Sequence, residues 1–404
     1  MSKQGIQKWK LSLFIIFSLP GLAFSSWISR TPEVRETLKA STSVMGLIIF
    51  GLACGSLIGL LSASRIISRK GTRFAALISV LIVIIGIFVI SAGVFAAFKS
   101  IVFAGLIIFG LGYGLAEVAL NVDGSALERA AGKTMMPALH ASFSAGTLIG
   151  AGLSSLAILF KVPVLVHLLL IAGIEFILIF TFFRFLPEDT GKEDAVSRRQ
   201  EVSSEKPVNV WTEPRTLLIG LIVLGMAFAE GSANDWLPLT MTDGFHVTHA
   251  QGTAVYGVFL TAMLIARIFG GAFLDRYGRV PVLRLCTAVS VIGLSLVIFS
   301  GNLTAAVIGV FLWGIGASLG FPVGLSAAGD DPKGAVKRVG AISFVGYCAF
   351  LVGPPVLGLL GEEFGLVKAL IIVLIGIVLS RLVSRAAKPP AHQKNVHDTN
   401  SHSM

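Results

Sequence analysis

Charge is scarce in this chain. Only 13% of its 404 residues are Asp, Glu, Lys or Arg, against about 25% in soluble globular domains. Cysteine is scarcer: Cys54, Cys286 and Cys348 lie far apart, with no CxxC or Cys/His cluster. That excludes a disulfide framework and a thiolate metal centre and leaves three small packing residues. No GxxxxGK[ST] phosphate loop occurs, so ATP is not the expected energy source, and no cofactor is expected. The longest polar stretch, Pro187 to Pro214, is too short for a soluble signalling domain. The apolar runs hold no nucleophile–base pair and no metal-ligand set, which argues against an enzyme.

What is present is apolarity: 54% hydrophobic residues and a mean hydropathy of +0.85. Twelve runs, each close to the ~20 residues a membrane-spanning helix needs, lie at 11–29, 43–67, 74–95, 100–122, 138–160 and 164–186, then 216–239, 252–274, 282–300, 304–327, 338–361 and 365–386; we number them spans 1 to 12. With the N-terminus inside, only Arg30, Arg35, Lys39, Lys99, Lys161 and Lys368 of the 32 Lys/Arg fall outside. Cytosolic enrichment of Lys/Arg orients membrane helices, so both ends are expected in the cytosol and the protein in the cell (inner) membrane. The +10 charge is spread over short loops, which suits an anionic leaflet and not a nucleic acid. Lys3, Lys8 and Lys10 before an apolar run outline a secretory signal. Leu11 to Ser29 is long enough to span, however, and eleven runs follow, so it reads as a retained span 1.

The expected fold is an all-α membrane protein of twelve transmembrane helices in two six-helix pseudo-symmetric bundles, 1–186 and 215–387. A cytosolic linker, 187–214, and a disordered tail, 388–404, complete the chain. An internal repeat supports this division. Gly110-Leu-Gly112-Tyr-Gly114 in span 4 matches Gly314-Ile-Gly316 in span 10, and the loop Arg69-Lys-Gly71-Thr-Arg73 matches Arg276-Tyr-Gly278-Arg279. Parallel six-span repeats are a transporter architecture.

The run Gly271-Ala-Phe-Leu-Asp275-Arg276-Tyr277-Gly278-Arg279 resembles the GxxxDRxGR loop of the major facilitator superfamily. The first-half copy keeps Arg69, Gly71 and Arg73 but has Ser68 where the Asp would align. Asp275 is expected to face the start of span 11, where free N–H groups attract an anion. Arg276 and Arg279 are expected to reach carboxylates across the half-domain seam, such as Asp330 or Asp331, and so latch the cytosolic side. At finer grain Gly114–Asn121, His140–Gly146, Glu230–Trp236 and Val352–Pro355 resemble a bacterial branch that includes a rhizopine-locus membrane protein and lies near fucose-permease-like proteins. The resemblance implies alternating access, a cavity between the halves and a small sugar- or polyol-like substrate.

Ionisable residues within spans are functional candidates because they are costly there. Glu117 in span 4 has Asn121 one turn on, and its repeat partner is Phe321, so packing symmetry does not demand an acid. Glu230, Asn234 and Asp235 share roughly one face of span 7, and Trp236 is either a sugar-stacking ring or an interfacial one. His140 opens span 5 and is a proton-relay candidate. Glu175, in span 6, has no polar neighbour one turn away, and Arg267 in span 8 offsets an acid or binds an anion. Asp243, His246 and His249 sit in a loop too open for a closed metal site, and no metal is expected. Pro20, Pro322, Pro354 and Pro355 mark kinks. These residues point to a secondary transporter, coupled to protons, that moves a small polar solute. Drug or metabolite efflux on the same scaffold is the alternative; a sensor or an intramembrane enzyme is remote. The partners expected are the solute, protons and lipid.

Overall fold

The computed structural model describes residues 3–132, 135–192, 210–330 and 335–389. Residues 193–209 of the expected linker, residues 390–404 of the expected tail and Asp331 lie outside the described residues. Among the described residues every regular element is helical.

Among the described residues ten helices are long and apolar enough to cross a membrane. One of them, Thr42–Phe95, has 54 residues. At 1.5 Å per residue that is about 80 Å, far longer than one bilayer core. It turns at Gly71, whose φ of 83° and ψ of 166° suit only a residue without Cβ, so it supplies spans 2 and 3 with almost no loop. Span 12 is broken into Leu366–Ala369 and Ile371–Leu382, which leaves it short of a single long helix. The architecture is therefore consistent with twelve spans. The others are Lys3–Ile28, Lys99–Ala131, Met136–Leu159 and Val164–Phe182, then Pro214–Phe245, His249–Tyr277, Arg279–Phe299 and Ala335–Phe364. Span 10 is split into Leu303–Ala317 and Gly320–Ala328. Pro322 sits in the first turn of the second piece, where a missing N–H costs nothing.

The chain forms two compact units. The first contains Met1–Ser203, Ser232–Leu264 and Leu351–Ala369; the second contains Ser204–Gly231, Ile265–Phe350 and Leu370–Met404. In the first unit, Gly110 and Gly114 of span 4 lie against the backbone at Leu52 and Ser56 of span 2. Small residues let membrane helices approach this closely and so replace the water-driven packing that lipid does not provide. Ala63, Ile67, Ala75, Leu115 and Ala119 close the packing of spans 2, 3 and 4. In the second unit Gly293 and Gly309 bring spans 9 and 10 together in the same way. Large apolar side chains such as Leu61, Phe95, Phe160 and Leu382 are exposed, as expected where the solvent is hydrocarbon.

One end of the first unit is closed by charge. Arg30 is fully buried, pairs with Glu33, and donates to Val162 O at 2.8 Å and His167 Nδ1 at 3.2 Å. The short helix Thr31–Thr37 carries Arg35, which forks onto the Asp243 carboxylate, its Nη2 donating at 2.7 Å. Beside it Glu36 meets His249 Nε2 at 3.1 Å. Asp243 and His249 are thus engaged in this ionic clasp, and no metal-ligand cluster occurs among the described residues.

Candidate functional site

In the first unit the polar and aromatic residues gather on spans 1, 4 and 5. Span 4 places Tyr113 one turn before Glu117, on the same face. Tyr113 is ringed by Phe24 at 5.5 Å, Phe109 at 6.4 Å and Phe143 at 6.4 Å between centroids. Glu117 is exposed. Asn121 turns back, its Nδ2 donating to the Glu117 carbonyl oxygen at 2.7 Å, so its amide serves the helix backbone. His140 is exposed and meets Phe17 edge-on at 5.6 Å. Glu175 is only 1% exposed, and neither of its carboxyl oxygens has a hydrogen-bond partner among the described residues.

Span 7 separates the group expected to share its face. Glu230 accepts from Arg267 Nη2 at 2.8 Å in the second unit. Arg267 also reaches the Ser318 carbonyl, with Nε at 3.4 Å. That carbonyl lies where span 10 breaks, and a broken helix leaves carbonyls without their usual partner. The side chains of Glu230 and Arg267 keep 15% and 29% exposure, so the pair is reachable. In the first unit Asn234 Oδ1 accepts from the Tyr256 hydroxyl at 3.1 Å, and Asp235 is buried. The expectation for Trp236 is corrected: it is neither a stacking surface nor an interfacial ring but fully buried. Gly46 of span 2 admits it, since a Cβ there would stand 3.3 Å from the indole and 2.6 Å from the Pro354 oxygen.

The two loop motifs have different fates. In the second unit Arg279 donates to Asp330 at 2.6 Å and to Ser326 Oγ at 2.9 Å, and Arg215 donates to the other Asp330 oxygen at 2.7 Å. This corrects the expected seam-crossing latch: Arg279 and Asp330 both belong to the second unit, so their pair braces that unit internally. Gly278 turns the chain with φ of 77°. Gly271 and Asp275 are exposed, and Asp275 makes no hydrogen bond or ion pair among the described residues; residues 331–334, before span 11, lie outside them. Arg276 stacks over Tyr277 at 5.3 Å. In the first unit Arg69 is exposed, and Arg73 pairs with Glu188 at 2.7 Å and lies over Phe183 at 5.3 Å.

The first unit holds a buried carboxylate that the sequence reading missed, the repeat counterpart of Asp330. Asp123, at the end of span 4, accepts from Trp9 Nε1 and Thr72 Oγ1, each at 2.7 Å. Thr72 and Arg279 each follow the turning glycine, and Asp123 and Asp330 stand at the same repeat offset as those glycines. That offset was the signal available in the sequence.

Residues 219–402 match the family profile of the Major Facilitator Superfamily. An uncharacterised MFS-type transporter of Yersinia pestis is 25% identical over 87% of this chain and 89% of its own length. Membrane protein MosC of Rhizobium meliloti is 23% identical over 90% of this chain and 86% of its own. Among solved structures, a D-xylose–proton symporter superposes with a TM-score of 0.74 at 14% identity, covering 94% of this chain and 97% of that one. The relatives are described as transporters and membrane proteins, none as an enzyme.

Proposed function

We propose that this chain is a multi-pass membrane transporter of the major facilitator superfamily, whose profile matches residues 219–402, and that it moves a small sugar- or polyol-like solute by proton-coupled alternating access. Both termini are cytosolic in the inner membrane, with the bundles 1–186 and 215–387 as the moving halves and 187–214 as their linker. The observation that carries the solute class is the face of span 4 on which exposed Glu117 follows half-buried Tyr113 by one turn. A polyol presents C–H faces to rings such as Tyr113 and Phe143, and hydroxyls to a carboxylate and an imidazole such as Glu117 and His140. A multidrug cavity would lack that density of polar groups. The D-xylose–proton symporter fold is compatible with this chemistry.

Glu117 carries the proton in this reading, and the Glu230–Arg267 pair holds the broken span 10 through the Ser318 carbonyl. The Arg35–Asp243 clasp closes the extracellular end of the first unit in this state. The test begins with a stabilisation screen of purified protein against sugars, polyols, nucleosides and cationic drugs. With the ligand found, Glu117→Gln in proteoliposomes keeps solute exchange and loses accumulation driven by a pH gradient. Gradient-driven accumulation that survives the substitution removes Glu117 from the proton path. Stabilisation by cationic drugs alone makes the protein an efflux pump.

A further inference from the structure

Where the chain leaves span 6 it folds back on the turn between spans 2 and 3. Thr72 N donates to Thr190 O at 2.8 Å, and Gly71 abuts the Glu188 backbone, leaving no room for a Cβ. The segment is thereby docked, and it walls a concavity of about 330 Å³. Lys70, Arg73 and Lys192 line it against a single carboxylate, Glu188, over an apolar floor that includes Phe74 and Leu77. The carboxylates nearby do not neutralise it firmly. Glu188 and Asp189, paired with Arg73 and Lys192, are 73% and 89% exposed, and such exposed pairs are weak and screened. Lys70 makes no ion pair among the described residues.

An exposed aromatic track leads to the concavity. Phe176 and Phe180, both exposed, meet at a tilt with centroids 4.6 Å apart, and Phe180 meets Phe183 edge-on at 5.9 Å. The ladder runs down span 6 into the basic concavity, where the Arg73 guanidinium covers Phe183. A cationic cup at the end of an exposed aromatic track has the two chemistries of a phospholipid, a phosphodiester and an acyl chain.

We propose that the Lys70–Arg73–Lys192 cup binds the headgroup phosphate of an anionic glycerophospholipid from the cytosolic leaflet, one acyl chain lying along Phe183, Phe180 and Phe176. The site rests on the cytosolic placement of this loop but not on the solute or on coupling, so its test needs no transport. Full-length protein in detergent is loaded with phosphatidylglycerol or with phosphatidylcholine of the same acyl chains, and retained lipid is read by native mass spectrometry. Wild type retains phosphatidylglycerol in preference, and excess inorganic phosphate does not displace it. Lys70→Gln with Lys192→Gln weakens retention about thirtyfold, at the usual gain per lysine near an anionic surface. Equal retention of the two lipids, an unchanged double variant, or displacement by free phosphate each overturns the proposal. Should the double variant unfold, cross-linking wild type to a photoactivatable phosphatidylglycerol decides. Label confined to residues 70–77 and 176–192 supports the site, and label elsewhere refutes it.

Discussion

The ends of spans 4 and 10 carry the same device built from different chemistry. In each, a buried carboxylate receives one donor from the residue after a left-handed glycine and one from the entry to the first helix of its half. At Asp330 these donors are arginines, Arg279 and Arg215. At Asp123 they are a threonine hydroxyl and an indole, Thr72 and Trp9. The arginines keep 24% and 34% of their side-chain surface, so water can take over their hydrogen bonds when the node opens. Thr72 and Trp9 are buried and have no such replacement. The difference teaches that a repeat can conserve position while changing role: the ionic node is releasable, and the neutral one is a fixed brace.

Asp330→Asn gives the largest expected effect. An amide cannot satisfy two donor-only cations, and losing a charge-assisted hydrogen bond costs about 2 kcal/mol; the unfolding transition of purified protein reads this. Thr72→Val follows at about 1.5 kcal/mol, because it strips a donor from a buried carboxylate, and Thr72→Ser restores it. Asp123→Asn costs less than about 1 kcal/mol, since its oxygen still accepts from Trp9 while its NH₂ donates to the threonine hydroxyl, which is free to rotate. Equal losses for Asp123→Asn and Asp330→Asn would erase the contrast.

The smallest effect concerns Glu213, which neighbours the ionic node. Hydrogen bonds from Arg338 hold its carboxyl below its ordinary 4.5. A depressed acid stabilises the fold above that value and loses its contribution as pH falls through the lowered one. Wild type therefore outlasts Glu213→Gln at neutral pH, and the gap narrows below pH 4.5. A gap independent of pH would show that the charge of Glu213 adds nothing to the ionic cluster.

Much of the fold was legible because apolar length and Lys/Arg placement act locally: each span must bury its own backbone polar groups in lipid. The loops that hold Gly71 and Gly278 were legible too, as charged gaps between apolar runs, but their positive φ was not. The candidate site was less so. Glu117 stood out as an acid in an apolar run, yet its neighbour Tyr113 was passed over because an aromatic residue in a span carries no cost to flag it. Trp236 was misread because its burial depends on Gly46, nearly two hundred residues away in the chain.

The sequence by itself determined the number of spans, the likeness to the superfamily's loop motif and the positions of the short loops. Each follows from composition and spacing, which act over a few helical turns. The tertiary structure alone decided which charges meet. Arg267 chose Glu230, Arg279 stayed within its own unit, and Asp123 took Trp9 and Thr72 as its donors. Partner choice depends on which helix faces are brought within about 3 Å of each other, and helix packing across distant segments sets that distance.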